Sequence, residues 1–94
     1  MAIRSFKAKG LQRLYVTGKF HKQVPAYLMD KLVILLDQLN AASIKNDLNI
    51  PGYNFHELKG NRKGTYSWKV TANQRLTFRF EHGDAFDVAL EDYH

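Results

Sequence analysis

Apolar residues recur along this chain with two different periods. In the first half the spacing is helical. Leu11, Leu14 and Tyr15 fall at i, i+3 and i+4, with Lys7, Lys9, Gln12 and Arg13 off the stripe. This predicts a helix over residues 7–16, weakened near its start by Gly10 and stopped at Thr17-Gly18. Leu28, Leu32, Leu35, Leu36 and Leu39 then predict a longer helix from Pro25, a residue suited to a first turn, to about Ala42. In the second half the period is two. Tyr66, Trp68 and Val70, then Leu76, Phe78 and Phe80, then Phe86, Val88 and Leu90 alternate with polar or small positions. Ala72-Asn73 and His82-Gly83-Asp84 mark the turns between them. Three consecutive strands with one packed and one wet face are expected. Residues 53–58 predict a further strand, with a bulge or strand end near His56 because Phe55 and Leu58 cannot share a face. Residues 2–6 alternate briefly, as an edge strand does. Residues 43–52 read as a loop with a turn of helix at 43–48.

A leucine stripe must be laid on something, and the strands are the available partner. The expected fold class is therefore α+β: two N-terminal helices packed on one face of a mainly antiparallel sheet. The wet face is expected to carry Lys69, Arg75 and Arg79, with Asp87 and Glu91 as cross-strand partners. Ninety-four residues make one domain, and 45% apolar content supports a core. There is no cysteine, hence no disulfide framework or thiolate metal site. No secretory leader is apparent, and the longest apolar run, Leu32 to Leu36, is too short to span a bilayer. No membrane association and a cytoplasmic location are expected.

The net charge is +5, and it is unevenly spread. Residues 1–29 and 59–79 each hold six Lys/Arg and no acid, whereas residues 80–94 hold five acids and no Lys/Arg. Two basic blocks set up a field that attracts polyanions, although a solubilising surface has the same composition.

His21, His56, His82 and His94 lack ligand spacing, and there is no phosphate-cradling glycine loop or nucleophile elbow. No metal or cofactor is expected. What remains is His56, Lys59, Arg75, Asp92, Tyr93 and His94. RNA cleavage needs no more than such groups. The 2′-hydroxyl is a built-in nucleophile, a base takes its proton, an acid protonates the 5′-oxygen, and cations offset charge on phosphorus. Each residue also has a plainer reading. His56 fits a packed or surface histidine, Tyr93 an aromatic anchor and His94 a frayed end. Lys59, Arg62 and Lys63 fit a solvated loop, Arg75 and Arg79 simple partners of the acidic last strand, and Tyr66 and Trp68 sheet packing. The residues alone reach a small basic α+β domain with nucleic-acid binding as one function.

An ordered set of segments carries the argument further. Ile3-Arg4-Ser5-Phe6-Lys7, Lys9-Gly10-Leu11, Leu48-Asn49-Ile50-Pro51-Gly52-Tyr53, His56-Glu57-Leu58-Lys59-Gly60, Arg75-Leu76-Thr77-Phe78-Arg79-Phe80, Gly83-Asp84-Ala85 and the ending Asp92-Tyr93-His94 together resemble the HigB toxins of the RelE/ParE superfamily. The resemblance implies a single RelE-like domain over residues 1–94. It implies a type II toxin that is a ribosome-dependent, metal-independent endoribonuclease cutting mRNA in the ribosomal A site. His56, Asp92, Tyr93 and His94 match the family's catalytic positions, and Lys59 and Arg75 its phosphate-binding ones. A HigA-type helix-turn-helix antitoxin is the implied partner, with operator DNA bound only through that complex, and the basic N-terminal block suits ribosomal RNA. Gln74 and Tyr66 stand where many relatives have Trp, and Glu57 where Pro is frequent. Two alternatives stay open at this point: a ParE-like gyrase-binding toxin, and a non-catalytic RNA- or ribosome-binding module.

Overall fold

The computed structural model describes residues 3–19 and 24–92. Helix α1 (Lys9–Thr17) and helix α2 (Met29–Ala41) precede four strands: β1 (His56–Glu57), β2 (Thr65–Lys69), β3 (Gln74–Glu81) and β4 (Asp84–Asp92). The strands form one sheet in the order β1-β2-β3-β4, every neighbour antiparallel. This is the expected α+β arrangement. Among the described residues no helix is long and apolar enough to cross a membrane.

The helical stripes behave as the spacing predicts. Leu11 and Leu14 of α1, and Leu32, Leu35, Leu36 and Leu39 of α2, are buried in one cluster with Tyr66, Trp68, Leu76, Phe78 and Val88 from the sheet. Gly18 ends α1 in the left-handed region, φ 70°, and its N–H returns to the Leu14 carbonyl. Pro25 precedes a 3-10 turn, Ala26–Leu28, and α2 proper starts only after it. Two polar bonds fasten the helical layer to the sheet. Lys31 Nζ donates to the Val70 carbonyl at 2.8 Å, and the buried Trp68 Nε1 donates to the Leu48 carbonyl at 2.7 Å.

Three expectations need correction. The strand expected over 53–58 is confined to His56–Glu57. Asn54 adopts φ 48°, and this left-handed residue prevents an extended run from reaching His56. The segment at the N-terminus pairs in parallel through isolated bridges, Ile3 with Ala85 and Phe6 with Val88, so it lines β4 without becoming an edge strand. Finally, Phe86 does not share a face with Val88 and Leu90. The pairing jumps from Thr77–Ala89 to Arg79–Phe86, so β4 holds one extra residue there, and Asp87 has φ 55°. Ala85 and Val88 are therefore both core, while Phe86 lies across from Arg79. A bulge frees backbone donors, and the N-terminal segment captures them: Asp87 N–H goes to Ser5 Oγ and Val88 N–H to the Ser5 carbonyl.

Gly83 shows how tightly the β3–β4 turn is seated. Its φ is 82°, and a Cβ there would lie 3.1 Å from the Ser43 carbonyl oxygen. Gly83→Ala combines left-handed strain with a backbone clash, for about 2 kcal/mol. In a domain of this size that lowers Tm by roughly 10 °C, readable by thermal unfolding.

Candidate active site on the open sheet face

Directly paired residues of an antiparallel sheet share a face, so the register sorts the candidates. His56 pairs with Ser67, Ser67 with Thr77, and Thr77 with Ala89. Two residues along, Lys69 pairs with Arg75 and Arg75 with Glu91. All of these lie on the face away from the helices. Standard sheet spacings put the His56 and Arg75 Cα atoms roughly 12 Å apart, a gap that an extended arginine and a phosphodiester can close.

His56 is exposed at the edge, and its Nδ1 lies 2.8 Å from the Asn54 carbonyl oxygen. A carbonyl only accepts, so Nδ1 carries the hydrogen, and in the neutral ring Nε2 presents its lone pair outward. The left-handed turn at Asn54 thus does more than end a strand: its carbonyl fixes the tautomer of the neighbouring imidazole.

Lys59 is exposed and opens a 3-10 turn, Gly60–Arg62, that folds back over this face. Leu58 and Ala89 are buried but do not belong to the helix-side core, and Ser67 and Thr77 are each 1% exposed. The open face is thus partly roofed by the loop that carries Lys59. Arg62 reaches from the loop to β4 and grips Glu91 with both terminal guanidinium nitrogens, at 2.9 and 2.6 Å. Glu91 also accepts from the Thr77 hydroxyl and stands 3.7 Å from Arg75.

This setting holds the Glu91 carboxyl down at about 2, chiefly through the Arg62 hydrogen bonds, with Thr77, the charge of Arg62 and Arg75 adding and partial burial opposing. The folded-state value lies below the ordinary 4.5, so the unfolded chain takes up the proton first on acidification. The stabilisation is fully present above pH 4.5 and fades as pH falls towards 2. Glu91→Gln should flatten urea-determined stability in that window by on the order of 1–2 kcal/mol, after allowance for solvent screening.

Asp92 is exposed, ends β4 and pairs with Gln74. Strand alternation places it on the face opposite Glu91, at the open end of the sheet. Tyr93, His94 and His21 lie outside the described residues. The structure therefore unites His56 and Arg75 on one face, sets Lys59 at the root of the loop over it, and brings Asp92 to the adjoining strand end. Among the described residues no group of three or more His, Asp or Glu is placed to hold a metal ion.

Arg62, Thr77, Glu91 and Asn54 are the residues that sequence reasoning missed as site neighbours. Arg62 read as a solvated loop cation, and Glu91 only as a cross-strand partner. The signal was present in the isolation of a basic loop and an acidic strand from charges of the opposite sign.

Comparison with known proteins agrees over nearly the whole chain. The family described as RelE-like toxin of type II toxin–antitoxin system HigB matches residues 4–94. The chain is 42% identical over 92 residues to the endoribonuclease HigB of Proteus vulgaris, covering 98% of this chain and 99% of that one. It is 36% identical over 89 residues to toxin HigB-1 of Vibrio cholerae serotype O1, covering 94% of each. A solution structure of the conserved hypothetical protein HP0894 from Helicobacter pylori superposes with a TM-score of 0.53 at 14% identity, over 97% of this chain and 94% of that one, a likeness of fold alone.

Proposed function

Because the chain belongs to the HigB-like family of RelE-like toxins of type II toxin–antitoxin systems, we propose that it arrests translation as a ribosome-dependent endoribonuclease that cuts mRNA in the ribosomal A site without a metal ion. One observation carries the reading at the level of residues: His56 and Arg75 share an open sheet face beside the strand end at Asp92.

The chemistry follows from this placement. His56 Nε2 takes the proton of the 2′-hydroxyl, whose oxygen forms a bond to phosphorus. The bond from phosphorus to the 5′-oxygen breaks, leaving a 2′,3′-cyclic phosphate. His94 protonates the departing 5′-oxygen. Lys59 and Arg75 hold the phosphate and offset its developing charge, Arg75 with a forked donor set. Tyr93 and Asp92 orient the nucleotide from the end of β4. The face is shallow, so a partner must hold the RNA against it, and the ribosome fills that role. Lys7, Lys9 and Arg13 are exposed on and beside α1 and suit ribosomal RNA.

As a type II toxin the chain has an antitoxin partner. That partner is a HigA-type helix-turn-helix protein, the complex binds operator DNA, and the toxin acts in the cytoplasm.

Inducing the chain in bacteria without antitoxin, then mapping new mRNA 5′ ends, tests the proposal. Growth arrest with in-frame cuts inside translated messages is expected. DNA damage with intact mRNA would reassign the chain to gyrase binding, and unimpaired growth would leave a non-catalytic binding module.

A further inference from the structure

We propose that the Arg62–Glu91 ion pair is a positioning strap of the nuclease site, tying the loop that begins at Lys59 to the strand that ends at Asp92. The proposal rests on the nuclease reading above. Two short bonds join residues 29 positions apart, and they cross the same sheet face that carries His56 and Arg75. Each end of the strap sits next to a site residue. Lys59 lies three positions before Arg62, and Asp92 directly follows Glu91. The carboxylate also serves as a hub. It receives the Thr77 hydroxyl from the middle of β3 and lies beside the Arg75 guanidinium, so one anion sets the attitude of a loop, a strand end and a phosphate-binding arginine. Exposed surface pairs contribute little, but this one is bidentate and partly shielded, with side chains 34% and 26% exposed. Small misplacements of reacting groups are expensive in rate. A strap therefore acts on turnover, without touching RNA.

Single-turnover cleavage of ribosome-bound mRNA separates this role from its rivals. Arg62→Ala and Glu91→Ala should each slow the maximal rate about tenfold or more, with the concentration dependence on programmed ribosomes unchanged. The double variant should be no slower than either single one. Arg62→Lys should recover part of the rate. Amide exchange across residues 59–64 should quicken in the alanine variants at a temperature where they remain folded. Glu81→Gln, which removes an exposed partner of Arg79, should leave the rate at the wild-type value. Folded variants with wild-type rates overturn the strap alone. Single effects that multiply in the double variant overturn it too, as does a raised ribosome requirement confined to Arg62 variants, which would make Arg62 an RNA contact. A wild-type protein that leaves ribosome-bound mRNA whole sinks the nuclease reading itself.

Discussion

His56→Ala should lower cleavage of ribosome-bound mRNA by at least about 100-fold, the usual contribution of a positioned proton acceptor. The side chain is exposed, so its truncation should shift stability by no more than about 0.5 kcal/mol. The expected phenotype is a folded protein that no longer arrests growth. His56→Gln is the sharper control, because an amide retains hydrogen bonding at this edge but cannot carry a proton away. Free imidazole should restore part of the activity of His56→Ala and none of that of His56→Gln, whose side chain still fills the space. Full cleavage by either variant would remove His56 from the chemistry and shift the base role to the residues after β4.

Trp68→Ala should cost about 3–5 kcal/mol, readable from urea unfolding. The indole is fully buried and packs edge-on against Phe78 with ring centroids 4.9 Å apart. It is also a donor to the Leu48 carbonyl, which keeps only the Ile50 N–H after truncation, a further cost of about 1 kcal/mol. A domain of 94 residues has roughly 5–14 kcal/mol in total. The variant is left marginal and should lose growth arrest through low abundance, with no change in the site. Trp68→Phe should keep most of the packing and lose chiefly the hydrogen-bond part. A Trp68→Ala protein as stable as wild type would mean that the sheet and the Leu48 turn are not joined through this ring.

The two effects differ in how far the sequence foretold them. The burial of Trp68 was legible because apolar residues alternate along β2 and β3 and the leucines of α2 recur with a helical period. Asp87 and Glu91 were foreseen as cross-strand partners for the cations of the wet face, and the fold pairs Arg75 with Glu91 at 3.7 Å and Arg79 with Asp87 at 3.6 Å. The bulge in β4 was not legible. Asp tolerates the left-handed region better than most residues, but one Asp inside an alternating run does not mark a kink, and the donors freed there are satisfied by Ser5, 82 positions away in sequence from Asp87. Arg62 was missed because the segregated charges show that loop and strand attract and not which residue meets which. A basic residue in a loop looks solvated until the fold shows which carboxylate lies beneath it. The segment around Asn54 looked extended apart from the clash of phase between Phe55 and Leu58, and Leu58 is buried outside the main core.

The extra residue at Asp87 has one more consequence. It works as a phase shifter for the end of the chain: every position beyond it takes its side of the sheet from that single kink. If the same residues ran straight on from Phe86 with none removed, Glu91 would turn towards the leucines and Leu90 out to water. Evolution of this tail is therefore constrained in backbone shape as well as in letters, and ironing out the kink with its residue retained would disarm the protein while every proposed site residue was still encoded.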